Sequence, residues 1–350
     1  MSSMGLPDGV RERLLAAGAN EDEIDRAGDD EALFTLAGDL VRRRDIAWMA
    51  IESVAAAAGT SVEEVERYCL LVGLPAREDM VPAWTVVGLE SYGVAAAYAG
   101  DAAARAYHRV LAAAAANVAA AATALFLNDV SPRLQASEIP TADALDLVET
   151  MVTELIRRTP NGWEWLFRQH LLLSARRGRA EHEADLSRVA IAFVDLTDST
   201  AWAERVSHVD HAAALSRFED AAWSASSARG VRLVKMIGDE AMLVATDPRD
   251  AVEVAAAICT MAGADPGLPP ARGAVGYGQV YARGGDYFGT LVNMVARAVK
   301  CAKPGHLVVT PDVAVTLVDS DVGLGAREPH TLRGIADPTD LIHIEVPTAP

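Results

Sequence analysis

The sequence predicts an α+β chain with an all-helical N-terminal domain (residues 1–160), a linker helix (161–187) and a ferredoxin-like domain (188–350). Three observations carry this. Alanine-rich windows with 3.6-residue spacing fill the first 160 residues, with no alternating strand pattern. From Arg188 onward, apolar runs of strand length alternate with helical windows in the order βαββαβ, which folds as one antiparallel sheet with helices on one side. Between the two, an apolar helical run through Trp163, Trp165 and Phe167 turns basic at Arg176, Arg177 and Arg179, then polar over residues 181–187. At 350 residues, more than one core is expected.

In the first domain, one helix covers about residues 45–58 and stops at Gly59. The next opens on Ser61-Val-Glu-Glu64, which reads as a capping box, and stops at Gly73 before Pro75. Pro82, Gly88, Gly93 and Gly100 mark further breaks, and Asp101 is placed to cap a long alanine helix ending near Asn128. Its most apolar stretch, residues 110–127, is mostly alanine, with Arg105, His108 and Arg109 just before it. A membrane span needs ~20 strongly apolar residues; alanine supplies little transfer energy, so the expectation is a tightly packed soluble helix and no membrane partner.

The helices flanking Gly59 have the spacing of a helix-turn-helix. Yet the second carries Glu63, Glu64 and Glu66 against Arg67, which would repel a phosphate backbone. A helical corner is the better reading. The net charge of -18 likewise argues against a nucleic-acid partner. A polyphosphate would have to be bound locally, by metal ions and a few basic groups. Cys69, Cys259 and Cys301 form no CxxC and read as reduced, buried thiols. No basic-then-apolar leader opens the sequence, so the expected location is cytoplasmic.

In the second domain the predicted strands are 189–193, 231–236, 241–245, 273–282 and 306–310. The predicted helices are 199–227, 250–261 and 291–301. Asp195 closes the first strand and Asp239 sits in the tight hairpin 237–240. Either alone reads as a helix or turn cap. Together, on adjacent strand ends, they suit two divalent cations, Mg²⁺ or Mn²⁺, able to clamp the attacking and leaving oxygens of an in-line displacement. Lys235 enters that hairpin, and Asp286 follows Gly284-Gly285. Adenine offers an acceptor at N1 and a donor at N6, which a Lys/Asp pair matches; guanine presents the reverse. Asn293 and Arg297 are four apart and share a helix face. Arg can spread over phosphate oxygens and Asn can hold a ribose or an attacking oxygen.

These segments, in this order and spacing, resemble the class III nucleotidyl cyclase catalytic domain, and specifically adenylate cyclases, over residues 188–346. That pattern has a metal Asp after an apolar strand, Lys-x-x-Gly-Asp with the adenine lysine and second metal Asp, then an Asp seven before an Asn and an Arg four after it. Asp195, Lys235, Asp239, Asp286, Asn293 and Arg297 fill the positions. The resemblance implies a head-to-tail homodimer that makes 3′,5′-cyclic AMP and pyrophosphate from ATP at two interfacial sites. Asp195 and Asp239 of one subunit would hold the two metals, and Lys235, Asp286, Asn293 and Arg297 would come from the other. The N-terminal half resembles, more loosely, the all-helical regulatory domain that precedes some actinobacterial cyclase domains. Some such relatives respond to pH, which would make His170 and His182 in the linker the titrating candidates.

One position departs from the pattern. Where the family usually has Gly ahead of the Ser/Thr-Thr pair, this chain has Asp198. Its carboxylate would either repel phosphate or point outward and cap the helix at Ser199. The rival readings are a catalytically silent nucleotide-binding regulator, a diguanylate cyclase and a DNA-binding regulator. The second lacks its Gly-Gly-[Asp/Glu]-Glu-Phe hairpin.

Overall fold

A computed structural model describes residues 9–44, 46–74, 76–137, 139–178, 186–320 and 322–346. By contacts the chain divides into two compact units, residues 1–170 and 171–350.

The first unit opens with α1 (Val10–Ala16), α2 (Glu21–Arg26) and α3 (Asp30–Arg44), then β1 (Trp48–Ala50), α4 (Ile51–Ala58), α5 (Val62–Leu71) and β2 (Met80–Pro82). It continues with α6 (Thr85–Ala99), α7 (Asp101–Leu125), a π-turn over Phe126–Val130, α8 (Ser131–Gln135) and the greater part of α9 (Thr141–Gly178), whose residues from 171 on belong to the second unit. Asn20 and Glu23 form a reciprocal capping box at α2, with bonds of 2.9 and 3.0 Å. Val10, Leu14, Phe34, Leu145 and Val148 build one core, and Ile51, Val54, Val65 and Val81 a second.

Several expectations for this unit change. It is not purely helical, because β1 and β2 pair as a short antiparallel ladder. Three-residue strands are too short to show alternation. Only half of the box at Ser61 forms: its hydroxyl accepts from Glu64 N–H at 3.3 Å, while the Glu64 carboxylate turns to the Thr60 hydroxyl. Gly88 and Gly93 lie inside α6. A Cβ on Gly88 would stand 2.5 Å from the Tyr68 hydroxyl, so this glycine marks a close helix crossing and no break. Asp101 does not cap α7 but pairs with Arg105 and Tyr92 in its first turn, and the helix continues through the π-turn past Asn128. Nor is the alanine stretch tightly packed. The helical run Asp101–Gln135 is long and apolar enough to cross a membrane by length and composition, and 6% of its most apolar window is buried. Finally, α9 is one 38-residue helix with Pro160 inside it, so the expected boundary at 160 falls within a continuous helix. A proline removes one backbone donor, and here the flanking turns carry the helix through.

The second unit contains β3 (Leu186–Leu196), α10 (Ser199–Ala203), α11 (His208–Arg229), β4 (Arg232–Ile237), β5 (Glu240–Ala245), α12 (Pro248–Ala264) and β6 (Ala271–Arg283). After these come β7 (Asp286–Phe288), α13 (Thr290–Ala298) with a 3-10 turn Val299–Cys301, β8 (His306–Val309), α14 (Pro311–Thr316), β9 (Leu324–His330) and β10 (Thr339–Glu345). The main sheet runs β4-β5-β3-β6-β8-β10-β9, with β7 on β6. It is mixed, because β6 and β8 are parallel. Both faces are covered, where helices on one side were expected. Ala190, Ala192 and Val194 of β3 pack with Phe218 of α11, Ile258 of α12 and Val313 of α14. Val189, Ile191 and Phe193 pack with Val295 and Ala298 of α13. An apolar run such as 189–193 announces burial on both faces but not what covers each.

The seat of α13 is built from glycine. A Cβ on Gly276 of β6 would fall 2.5 Å from Val295 Cγ2 and 3.0 Å from Leu291 Cδ1. Gly263 near the end of α12 faces open space. Gly276→Ala should therefore lower the unfolding free energy by about 1–3 kcal/mol, the scale of overpacking. Gly263→Ala should raise it slightly through helix propensity. Equal shifts in denaturant titrations of the two variants would remove this account of α13.

Candidate active site

Asp195 has the parity of Ile191 and Phe193, so β3 delivers it to the α13 face of the sheet. Its ladder neighbours are Glu240 on β5 and Arg272 on β6. Asp239 occupies the two-residue turn between β4 and β5, beside Gly238 at φ 64. That turn is tied to the end of β3 by Leu196 N–H donating to the Asp239 carbonyl at 3.2 Å.

Three carboxylates thus gather at one strand end. Burial, then repulsion from Asp195 and Asp239, pushes the Glu240 carboxyl up to about 7. Burial also raises Asp195; the hydrogen bond from Arg272 opposes this and the charge of Asp239 adds to it. Arg272 Nη2 donates to Asp195 Oδ2 at 3.1 Å, and its Nε is buried with no partner among the described residues. Lys300 and Arg272 are the cations that act on both Asp195 and Glu240. A half-buried set of oxygen donors whose charge is incompletely balanced fits hard divalent cations. Asp195 and Asp239 would hold them, with Glu240 as a third acid beside them.

Lys235 lies on the edge strand β4 with the parity of Met242 on β5, hence on the α13 face. The β6–β7 hairpin turns through Gly284 and Gly285 at φ 63 and 78 and swings Asp286 across to it. The two side chains form an ion pair. Asp286 Oδ1 also accepts from Tyr287 N–H at 2.8 Å, and Arg232 holds the Gly285 carbonyl at 2.5 Å. The structure therefore brings together the two residues that the purine-edge argument pairs.

Asn293 and Arg297 are exposed on α13, with Val295 and Ala298 buried beneath. Among the described residues neither makes a side-chain hydrogen bond or ion pair, so nothing joins them to Asp195, Asp239, Lys235 or Asp286 within one chain. Arg297 rests against the backbone of Gly334, whose Cβ position would lie 3.7 Å from the guanidinium. Asp198 stands at the head of α10 in the left-handed region, at φ 51, and makes no side-chain cap bond. The outward-capping alternative is thus not realised, and an L-residue occupies a conformation that favours glycine. His170 is exposed on α9, and His182 lies outside the described residues.

Glu240, Arg272 and Lys300 escaped the sequence reading. Glu240 directly follows Asp239 and was legible only as hairpin residue. Arg272 opens β6, and its place beside Asp195 is a cross-strand fact.

Comparison with known proteins bears on this domain first. An adenylate cyclase of Glutamicibacter nicotianae is 36% identical over 149 residues, 42% of this chain and 37% of its own length. The C-terminal half is similar in sequence to adenylate cyclases, and the chain spans less than half the length of this relative. An uncharacterized protein of Mycobacterium tuberculosis (strain ATCC 25618 / H37Rv) is 29% identical over 336 residues, 94% of this chain and 88% of its own. A crystal structure of the adenylyl cyclase CyaB from P. aeruginosa is similar at 15% identity and TM-score 0.40, covering 47% of this chain and 96% of that one. No protein-family model matches the chain.

The acids of this site give a signed pH dependence. A carboxyl raised in the folded state keeps its proton longer there than in the unfolded chain. Its stability contribution is whole below about pH 4.5 and is lost as pH rises through about 7. Glu240→Gln should therefore raise the melting temperature of metal-free protein near about pH 8 and change it little near about pH 4.5. An equal shift at both pH values would remove the charge argument.

Proposed function

We propose that the chain is an adenylate cyclase that converts ATP to 3′,5′-cyclic AMP and pyrophosphate as a homodimer, under control of its helical N-terminal unit. The Lys235–Asp286 pair is the observation that carries this, because it sets a donor and an acceptor side by side where an adenine edge requires them. In the reading, Lys235 donates to N1 and Asp286 accepts from the N6 amino group. Arg297 spreads over phosphate oxygens and takes up the charge that develops as pyrophosphate leaves. Asn293, one turn away, orients the ribose. The 3′-oxygen–Pα bond forms, the Pα–oxygen bond to pyrophosphate breaks, and the 3′ proton is released. Mg²⁺ or Mn²⁺ held by Asp195 and Asp239 would supply Lewis-acid charge at the reacting oxygens.

The homodimer is supported by what a single chain leaves open. Asn293 and Arg297 face solvent without partners among the described residues, while Asp195 already meets Arg272. A second copy would bring the helix of one subunit to the acids of the other, building two equal sites. Three free cysteines, two of them buried, fit a reducing, cytoplasmic setting.

Asp198 favours a second reading, a catalytically silent regulator that binds nucleotide through the same domain. Its carboxylate stands in the turn where the family pattern has glycine. Cyclic AMP formation from ATP by the purified chain separates the two readings.

Two mutational outcomes are expected. Asp195→Ala lowers the rate of cyclic AMP formation by at least about 100-fold, the effect of losing several kcal/mol of charge stabilisation. Full activity would sink the metal assignment. Combining Lys235→Glu with Asp286→Cys lowers the ratio of ATP to GTP turnover by at least about 10-fold, while an unchanged ratio would count against the purine assignment.

A further inference from the structure

Away from the active-site acids, three ligand-type side chains meet at the other edge of the sheet. Glu328 and His330 are two apart on β9 and share a face. The ladder pairs Leu341 with Glu328 and Thr339 with His330, which brings His343 of β10 alongside. One ligating atom from each of the three lies within 4.8 Å of the other two. His343 Nε2 is 3.9 Å from Glu328 Oε2, and the two imidazole centroids are 5.6 Å apart. His330 Nε2 is buried with no hydrogen-bond partner among the described residues. A buried ring nitrogen left unpaired is destabilising, and a bound cation would relieve it.

The chemistry of the set is specific. Two imidazoles and a carboxylate suit Zn²⁺ and its neighbours far better than Mg²⁺, which prefers an all-oxygen shell. Tetrahedral coordination at about 2.0–2.1 Å places ligand atoms about 3.4 Å apart. Small side-chain rotations close the gap from the present spacing, and three protein ligands leave a fourth position for water. Burial pushes His343 down, against the pull of Glu328, and the nearby His330, Lys303 and His306 push it the same way as burial. The neutral imidazole is the form that ligates a metal.

Position gives such a site a consequence. Residues 331–338 connect β9 to β10. Leu332 in that connection is buried with Val295 and Ala298 of α13, and Gly334 lies against Arg297. We propose that Glu328, His330 and His343 bind one divalent transition metal of the Zn²⁺ type and so clasp the base of the hairpin that braces Arg297. The binding claim stands independently of the cyclase reading.

The test is calorimetric titration of Zn²⁺ into the full-length chain, in a millimolar Mg²⁺ background that keeps the acidic site saturated. One Zn²⁺ per chain is expected. His330→Ala and His343→Gln should each weaken it at least about 10-fold, while Asp195→Asn leaves it unchanged. Melting curves without Zn²⁺ establish that each variant folds, and the two histidine variants serve as checks on one another. Zn²⁺ affinity unaltered in a folded histidine variant, competition by Mg²⁺, or no binding to the wild-type chain would each overturn the proposal.

Discussion

Strand β3 is hydrogen-bonded along both edges and packed on both faces, and the C-terminal unit is arranged around that fact. Alternate residues meet α11 and α12 on one side and α13 on the other. A strand so enclosed cannot slip by one residue without turning its whole apolar set inside out. Asp195 therefore has one available direction. Glu240 and Arg272 are its lateral neighbours for the same reason. The proton affinity of the site is a product of this enclosure: carboxylates withdrawn from water at a strand end become hard to ionise together. Arg272 and Lys300 relieve the repulsion only in part, and the remaining negative charge suits a hard cation.

On the same face, α13 is held at a height set by Gly276. With no side chain in the way, Val295 and Leu291 settle onto β6. The helix then presents Asn293 and Arg297 outward from a rigid base. The connection between β9 and β10 contributes Leu332 beneath the helix and Gly334 beside Arg297. Strand edge, helix and connecting loop thus form one mechanical unit.

Much of this was readable beforehand, for identifiable reasons. Strands 189–193 and 241–245 are apolar enough to declare themselves, and a hairpin with Gly238 in its turn could take few other shapes. Lys235 and Asp286 match by hydrogen-bonding logic, and the fold puts them in contact. Strands β9 and β10 were invisible. β9 is an exposed edge rich in polar residues, so no apolar rhythm marks it. In the helical half the differences have more than one origin. Glycine and proline were read as stops, yet Gly88 serves a helix crossing and Pro160 sits within α9. The composition of the alanine helix suits close packing, whereas within this unit few neighbours cover it.

What the linear order of residues settled was the chemical inventory: two acids at strand ends, a Lys/Asp pair of the right polarity, and an Asn and Arg one helical turn apart. Such features are local, and spacing along a strand or helix is enough to define them. Whether Asp286 crosses to Lys235, whether Arg272 reaches Asp195, and whether Glu328, His330 and His343 converge depends on which strands pair and in what register. Those contacts join residues far apart in sequence or on separate strands, and only the closing of the core brings them within reach.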